Sequence, residues 1–414
     1  MDIDGSRGRL TDHIGVGVLT RLLHRDLVDE VLLSTGRVEQ RVRLLPARVV
    51  VYFVLGLCLF CGENYEEVMR RMAQGLRFMG NWSDRWRVPT AGALTRARER
   101  LGVEPLRELF ERVAVPMAEP GTRRAWLRNF RLMSIDGTLL DVPDTAANDE
   151  KYGRSGNDIA DAPFPQVRLV ALVECGTRAI VGANFGAYRV SENELSDDVR
   201  QFCEPGMLII ADRNFFGHQR WRDFCETGAD LLWRVQENVL LPCYEVYPDG
   251  SYLSILATQN QRQTAARRSV KTGKEVLPEG QPVRVVEYMI TNRTETTETI
   301  CLITTILDVE EATAHELAQA YHDRWQIETA IGEIKTTLLG SGRTLRSQSP
   351  QLIEQEIWAL LLTHYAISEL RREAADDIEE DIDRVSFLKS LRIIRRHIAS
   401  QAAFSPSPPT GIDS

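Results

Sequence analysis

Residues 205–212 read Pro-Gly-Met-Leu-Ile-Ile-Ala-Asp, and this stretch decides the fold of the 414-residue chain. Its five consecutive apolar residues follow a Pro-Gly turn signal and end at Asp212. Such a run is typical of a strand that is buried on both faces at the centre of a sheet. A second short strand, Arg131–Ile135, ends in the same way at Asp136. The sequence therefore predicts two strands that each end in an aspartate.

The residues around this strand alternate between short β-rich runs and helical patterns. Between 131 and 235 the predicted order is β-β-β-α-β-α-β, which indicates an α/β fold. Residues 236–306 break this rhythm with short alternating runs and predict an inserted β region. Helical patterns return at Ala312–Leu339 and at Pro350–Ala374. The other predicted elements are the strands Arg168–Glu174, Ala179–Phe185 and Asp230–Val235 and the helices Ser191–Phe202 and Gly217–Thr227.

Residues 10–118 show apolar positions at helical spacing and predict an α-helical domain. Within it, Thr90 and Gly102 mark the start and end of one helix that carries Arg96, Arg98 and Arg100. From 85 to 131 the chain has eleven arginines and five glutamates, a local excess of six positive charges. This patch suits the phosphates of DNA, but a solvated helix face crossed by local ion pairs explains the same charges. The sequence leaves both interpretations open.

A second basic stretch lies in the predicted β region. It has no acidic residue between its first and last members and contains Arg262, Arg267, Arg268, Lys271 and Lys274. An exposed mobile loop without a partner is one explanation, and a contact with DNA is the other. We favour the contact with DNA because of the motifs that follow later in the chain.

Composition excludes several classes of protein. Lys and Arg total 50 against 59 Asp and Glu, and 43% of the residues are hydrophobic, so a largely disordered chain is excluded. The longest apolar run, Val49–Gly62, is too short to span a bilayer, and the N-terminus lacks the features of a secretory signal. We therefore expect a soluble, cytoplasmic protein without a membrane partner.

The seven cysteines form an odd set that is scattered through mostly apolar segments. This distribution indicates reduced thiols and not a disulfide framework. Cys58 and Cys61 have no second pair at the spacing of a zinc site, so we predict that they pack in the core.

The most informative stretch runs from Tyr321 to Lys335. Helical steps of three, four and seven residues would place Tyr321, Arg324, Glu328 and Lys335 on one face of a single helix. One acid would then lie within a row of phosphate-binding groups. Spacing alone permits a simpler interpretation, in which Arg324 and Glu328 form an i,i+4 ion pair on a surface helix.

This spacing resembles the YREK signature of the IS4-family transposases, which belong to the DDE group. Asp136-Gly137-Thr138 and residues 209–217, Ile-Ile-Ala-Asp-Arg-Asn-Phe-Phe-Gly, resemble the first and second acidic motifs of that family. The resemblance implies a multi-domain α/β protein with a ribonuclease-H-like mixed-sheet core. The implied parts are an α-helical, DNA-binding N-terminal domain (1–125), the core (126–235 and 307–375), a β-rich insertion (236–306), and a C-terminal helical segment with a flexible tail (376–414).

The resemblance also implies which residues act. Asp136, Asp212 and Glu328 would be the catalytic residues and the ligands of two divalent cations, Mg²⁺ or Mn²⁺. Tyr321, Arg324 and Lys335 would bind the phosphates of the transposon end. Among nearby acids, Asp141 and Asp144 follow the first motif at a predicted turn, and Glu333 would point about 140° away from Glu328, so these are poorer candidates. The predicted wider DNA contacts are Arg96, Arg98, Arg100, Arg267, Arg268 and Lys271.

The implied partner is double-stranded DNA, as the terminal inverted repeats of an insertion sequence and as a target, bound by a homodimer in the bacterial nucleoid. Three functions stay open: a transposase that cleaves and joins DNA, a related nuclease that only cleaves, and a DNA-binding protein whose catalytic centre has decayed. Some members of this group excise through a DNA hairpin and hold a flipped base on a Trp of the inserted β region. Residues 236–306 contain no Trp, so the hairpin route stays open here. Trp233 and Trp325 are predicted to pack, and no single residue stands out among Tyr244, Tyr247, Tyr252 and Tyr288.

Overall fold

The structure is a computed structural model that describes residues 17–38, 45–74, 88–156, 162–291, 297–378 and 380–398. The predicted flexible tail at 405–414 lies outside the described residues. No helix within these ranges combines the length and the apolar character needed to cross a bilayer.

The N-terminal part is helical. The predicted helix between Thr90 and Gly102 is confirmed, because the Thr90 side chain accepts a hydrogen bond from the Ala93 N–H and Gly102 ends the helix at φ 76°. The long apolar run forms a helix whose residues are all buried except Arg48. The helices are α1 (Arg25–Ser34), α2 (Ala47–Leu59), α3 (Tyr65–Gln74), α4 (Ala91–Leu101) and α5 (Glu104–Val113).

The chain then enters a mixed sheet in the predicted order, except for a short strand at 126–127 and a helix at 146–152 that were not predicted. The strands are β1 (Trp126–Leu127), β2 (Phe130–Asp141), β3 (Gln166–Glu174), β4 (Ile180–Ala187), β5 (Met207–Ala211) and β6 (Asp230–Arg234), and the helices are α6 (Ala146–Tyr152), α7 (Glu192–Val199) and α8 (His218–Cys225). The five main strands lie in the order β4-β3-β2-β5-β6, with β2, β5 and β6 parallel and β3 and β4 antiparallel to their neighbours. This arrangement is ribonuclease-H-like, and β5 is fully buried as predicted.

The strand β2 is longer than the sequence indicated. It continues past Asp136 to Asp141, because β3 pairs with it as far as Asp141 and Gln166. Asp141 therefore lies in a strand and not in the predicted turn, and its side chain accepts a hydrogen bond from Gln166 at 2.9 Å.

The insertion extends the same sheet instead of forming a separate one. Its elements are β7 (Glu245–Val246), β8 (Tyr252–Leu256), α9 (Gln259–Thr272), β9 (Gln281–Thr291) and β10 (Thr297–Thr304). β10 pairs antiparallel with β6, and the sheet continues through β9 and β8 to β7. The basic stretch forms the helix α9 and not a loop, since Thr258 and Gln261 form a capping box and Gly273 ends the helix in the left-handed conformation.

The C-terminal part contains α10 (Ala314–His322), α11 (Trp325–Gly332), α12 (Pro350–Asp377) and α13 (Phe387–His397). The predicted single helix over 312–339 is wrong. The Arg324 N–H bonds to the carbonyl of Tyr321, which closes a tight turn between α10 and α11. Residues Glu333–Leu338 then form a π-helical turn.

Trp358 of α12 connects the parts of the protein. Its ring lies 5.4 Å from that of Phe110 on α5 and 5.1 Å from that of Phe185 on β4, between ring centroids. The N-terminal helices, α12 and one face of the sheet thus share one continuous apolar core. The predicted helical domain consequently packs directly on the segment that follows the catalytic motifs.

Two predictions about individual core residues are confirmed. Trp233 is fully buried and packs edge-on against Trp221 and Phe224. All seven cysteines are free thiols, and Cys58 is buried in α2 with Cys61 beside it.

Candidate active site

Asp136 and Asp212 are positioned by two neighbouring parallel strands. In the pairing of β2 with β5, Ile135 lies opposite Ala211, and each aspartate is the next residue along its strand. Paired strands lie about 4.8 Å apart, so the two aspartates are neighbours at one edge of this strand pair. The Gly137 N–H donates a hydrogen bond to Asp136 Oδ1 at 2.8 Å and fixes that side chain.

The turn between α10 and α11 connects Glu328 to this pair. Arg324 Nη2 lies 2.8 Å from Glu328 Oε1, and Arg324 Nη1 lies 3.6 Å from Asp136 Oδ2. Since the two terminal nitrogens of one guanidinium are only about 2 Å apart, the two carboxylate oxygens lie within about 9 Å of each other. Arg324 therefore contacts two acids, Asp136 and Glu328. The simpler sequence interpretation assigned it an ion pair with Glu328 alone.

Tyr321 and Lys335 also lie beside these acids, although not on one helix as predicted. The Tyr321 hydroxyl donates a hydrogen bond to Asp212 Oδ1 at 3.3 Å, and the residue is only 8% exposed. Lys335, on the π-helical turn, donates to the Thr138 hydroxyl at 3.3 Å and is exposed. The four residues of the row are brought together by the turn at Asp323 and by the π-helical turn. They do not share one helix face.

The charges in this site are not balanced. Burial raises the pKa of Asp136 to about 6, although the Gly137 N–H and the charge of Arg324 oppose the shift. The carboxylates of Glu192 and Glu328 raise that pKa further. Asp136 and Glu328 thus share a partly buried space in which one arginine, Arg324, pairs with both, which is the electrostatic setting of a cation site.

Glu192 is a neighbour of the site that the sequence interpretation missed. It lies in the first turn of α7 and pairs with Arg168 at 3.0 Å. A Cβ atom at Gly137 would lie 2.8 Å from the Glu192 carboxyl group, so the glycine after Asp136 makes room for this acid. The only signal in the sequence was that glycine, which does not indicate its partner.

The donor atoms of the site fit a hard divalent cation. Carboxylate oxygens surround it, and such ligands suit Mg²⁺ and Mn²⁺. In this arrangement of side chains, however, Arg324 stands between Asp136 and Glu328, and no three acidic, His or Cys side chains of the described ranges are gathered closely enough to hold an ion.

Comparison with known proteins agrees with this geometry. Residues 13–111 match the family described as "Insertion element 4 transposase N-terminal", and residues 129–365, more than half of the chain, match "Transposase DDE domain". The chain belongs to the IS4 family of DDE transposases. It is 26% identical to "Transposase InsG for insertion sequence element IS4" of Escherichia coli (strain K12), over 93% of this chain and 83% of that protein.

Two further proteins are similar to this transposase. "Putative transposase InsZ" of Escherichia coli (strain K12) is 24% identical over 54% of this chain and 70% of that protein. A cryo-EM structure of the piggyBac transposase synaptic complex with hairpin DNA aligns with 96% of this chain and 83% of that chain, at a TM-score of 0.47 and 9% identity. Family membership follows from the sequence matches: the protein is an enzyme that acts on DNA and depends on a divalent metal.

One predicted DNA contact of the transposase is wrong. Arg98 is fully buried, and its guanidinium donates hydrogen bonds to Gln355 at 2.8 Å, to Ser347 at 3.0 Å, to the Leu352 carbonyl at 3.0 Å and to the Tyr65 hydroxyl. These partners use its donors within the protein, so it cannot reach a phosphate. Because α12 packs on α4, the helix face that looked basic in the sequence is partly internal.

The other predicted contacts lie on the surface. Arg96 and Arg100 are exposed on α4. Arg267, Arg268 and Lys271 are exposed on α9, where Arg268 pairs with Glu279 at 2.5 Å. These five residues remain predicted DNA contacts.

A buried network lies behind the turn that carries Glu328. Glu333 accepts hydrogen bonds from Arg178 at 3.0 Å, Arg371 at 3.2 Å and His364 at 3.1 Å. Burial alone would raise the pKa of Glu333, but the His364 hydrogen bond and the two arginines outweigh it and hold that pKa below its ordinary value. Glu333 is thus a structural anchor, and Trp325 packs beside it against Arg178.

Proposed function

We propose that Asp136, Asp212 and Glu328 are the catalytic acids of this transposase and hold two Mg²⁺ or Mn²⁺ ions. The observation that carries the proposal is the placement of the two aspartates side by side on adjacent parallel strands, with Arg324 linking Asp136 to Glu328. Two such ions, when bound, activate the attacking oxygen and stabilise the leaving 3′ oxygen of a phosphodiester.

The side chains of the protein supply the remaining functions. Arg324 pairs with Asp136 and Glu328 in the free protein and, as a planar fork, is suited to a bidentate bond with a DNA phosphate. Tyr321 orients Asp212 through its hydroxyl. Lys335 is exposed at the edge of the site and contributes a point charge for a second phosphate. Substrate binding would therefore move the Arg324 fork from carboxylates to phosphate.

The substrate we infer is the pair of terminal inverted repeats that flank an insertion sequence, followed by target DNA. Support comes from the match of residues 13–111 to the N-terminal family of insertion element 4 transposases and from the exposed arginines Arg96 and Arg100. Two ends must be cut for one element to move, so we infer a homodimer on DNA, acting in the bacterial nucleoid. Phosphate contacts would supply most of its affinity.

Excision through a hairpin has one structural argument in its favour. A cavity of about 960 Å³ begins at Arg213 and Asn214, directly after Asp212, and Tyr252 lines it. None of the other three candidate tyrosines of the insertion lines this cavity. An unpaired base stacked on Tyr252 would gain about 1–3 kcal/mol. Tyr252→Ala should then slow hairpin formation, whereas Tyr247→Ala should not.

A strand-transfer assay tests the proposed function. The transposase is incubated with an uncut end fragment or with a pre-cut one that has a free 3′ hydroxyl, in the presence of supercoiled target DNA and Mg²⁺ or Mn²⁺. Joined products would identify a transposase that cleaves and joins. Nicked ends without joining would identify the related nuclease, and end binding without cleavage in any divalent metal would identify a decayed catalytic centre.

A further inference from the structure

A cavity of about 590 Å³ opens between three parts of the chain that are distant in sequence. Its walls come from the loop after α2 together with α3, from the residues at and after the end of the π-helical turn, and from the end of α13. Its charged lining consists of four arginines and one glutamate: Arg71, Arg343, Arg395, Arg396 and Glu63. Four positive charges against one negative charge leave an excess of three.

The glutamate does not neutralise this excess. Glu63 pairs with Arg71 at 2.7 Å, which leaves the other three arginines without its charge. The guanidinium groups of Arg343 and Arg396 form no hydrogen bond or ion pair with any residue in the described ranges. Arg395 donates its Nε to the Leu59 carbonyl, and burial together with the charges of Arg392 and Arg71 lowers its pKa. The positive charges of these arginines therefore repel one another when no DNA is bound.

The backbone makes room for these groups. A Cβ atom at Gly62 would lie 3.0 Å from Arg343 Nη1, closer than such atoms normally approach. Gly340, on the opposite wall, has a φ of 94°, which side chains with a Cβ rarely adopt. Two glycines thus allow the Arg343 side chain, which lines the cavity, to lie against the loop that follows α2.

The position of the cavity indicates its ligand. Thr337, which lines the cavity, follows Lys335 by two residues on the same π-helical turn. Lys335 is the last member of the proposed phosphate-binding row, and the chain segment that follows it, from Thr337 to Arg343, forms one wall of the cavity. Guanidinium groups match the geometry of a phosphodiester better than they match any neutral ligand.

We infer that this cavity binds backbone phosphates of DNA beyond the catalytic site, through Arg343, Arg395 and Arg396. The inference rests on the proposed function, because the DNA strand bound here would be the one that leads away from the catalytic acids past Lys335. It assigns a DNA contact to α13, a helix for which the sequence predicted none.

Salt titration of DNA binding tests this inference. A fluorescein-labelled DNA duplex of mixed sequence is titrated by anisotropy at several NaCl concentrations with the full-length protein. Arg343→Ala and Arg396→Ala should each lower the affinity and reduce the slope of log K against log salt by about 0.9, and the double variant by about twice that amount. The matched control is Arg384→Ala, which removes an exposed arginine of the same C-terminal segment that pairs with Glu380.

The controls separate this inference from the proposed function. Failure of the wild type to bind the duplex would overturn the proposed function. If the wild type binds while the double variant keeps the affinity and slope of Arg384→Ala, the cavity is not a phosphate site. Arg396→Glu provides a second test, since reversal of the charge should weaken binding further than removal; equal or tighter binding would also contradict the inference.

Discussion

Tyr321 donates its hydroxyl hydrogen to Asp212 across 3.3 Å, from the last turn of α10 to the end of β5. Burial and the Asp212 charge raise the pKa of this tyrosine, so it stays a hydrogen donor at neutral pH. A residue that the YREK resemblance assigns to DNA phosphates is, in this structure, bonded to a proposed catalytic acid. Its contribution is therefore expected in the chemical step more than in binding.

Tyr321→Phe should distinguish these functions. Loss of one hydrogen bond to a charged group is worth about 1.5 kcal/mol, so the cleavage rate of saturated end DNA should fall about tenfold. The affinity for end DNA should stay within about twofold of the wild type. Single-turnover cleavage and anisotropy measure the two quantities, and Tyr288→Phe, a tyrosine that packs against the same apolar cluster, is the control. A loss of affinity with an unchanged rate would instead support a phosphate contact.

Replacement of any one of Asp136, Asp212 or Glu328 with Ala should abolish cleavage but preserve binding to end DNA. Each change removes a proposed ligand of the metal ions, whereas the phosphate contacts elsewhere are retained. Cleavage of a labelled end in Mg²⁺ and in Mn²⁺ gives the readout. Asp144→Ala is the matched control, because Asp144 is a nearby acid that is 58% exposed and paired with Arg154. Full activity in any of the three variants would remove that residue from the proposed set.

Arg324→Ala and Lys335→Ala should weaken end binding, each with a salt slope lower by about 0.9. Arg324→Lys should not restore activity, because a point charge cannot replace a fork that spans two groups, whereas Lys335→Arg should be partly tolerated. If Arg324 served only as a partner of Glu328, its removal would change stability by a few tenths of a kcal/mol at most and leave DNA affinity unaltered. Titration at several salt concentrations separates these outcomes.

The sequence was most informative where local signals and the global fold agree. The buried strand at 207–211 could be predicted because an uninterrupted apolar run between turn signals has few alternatives. The position of Asp212 at the end of this strand followed from it, whereas the strand of Asp136 continues to Asp141. The proximity of Glu328 to Asp136 could not be derived from periodicity, because it depends on a turn at Asp323 that has no proline or glycine to mark it.

Long-range packing explains the two errors that concern charged residues. Arg98 looks like its neighbours Arg96 and Arg100 in sequence, and only the contact of α4 with α12, more than 250 residues later, buries it. Glu192 was missed for a similar reason, because the close approach of α7 to Gly137 is a tertiary contact. Local patterns carry no information about such partners.

Arg98→Ala should destabilise the protein without changing its interaction with DNA. The substitution removes four hydrogen bonds of a buried guanidinium, including the one to Gln355 Oε1, at a combined cost of about 3 kcal/mol or more. Arg96→Ala and Arg100→Ala should change stability by about 0.5 kcal/mol or less and lower the salt slope of DNA binding. Urea unfolding and salt titration of all three variants provide the comparison. A stable Arg98→Ala protein with a reduced slope would show that this arginine reaches DNA.

Asp136→Asn should make the metal-free protein more stable at neutral pH. The folded protein raises the pKa of Asp136 from 3.8 to about 6, so between these values the folded state binds a proton that the unfolded state has lost. As the pH rises through this range, the free energy of unfolding falls, by no more than about 3 kcal/mol for this group. The free energy of unfolding of the Asn variant does not fall in this way. The variant should therefore exceed the wild type in this free energy by a small amount near pH 4 and by the largest amount above about pH 6. Urea unfolding in EDTA at both pH values measures it. Asp144→Asn, at an exposed acid, should show little of this trend.

Mg²⁺ should then stabilise the wild type at neutral pH and have little effect on Asp136→Asn, because the cation neutralises the same carboxylate that the substitution removes. A variant whose stability stays parallel to that of the wild type from pH 4 to pH 8, or that gains equally from Mg²⁺, would contradict an uncompensated, metal-binding Asp136.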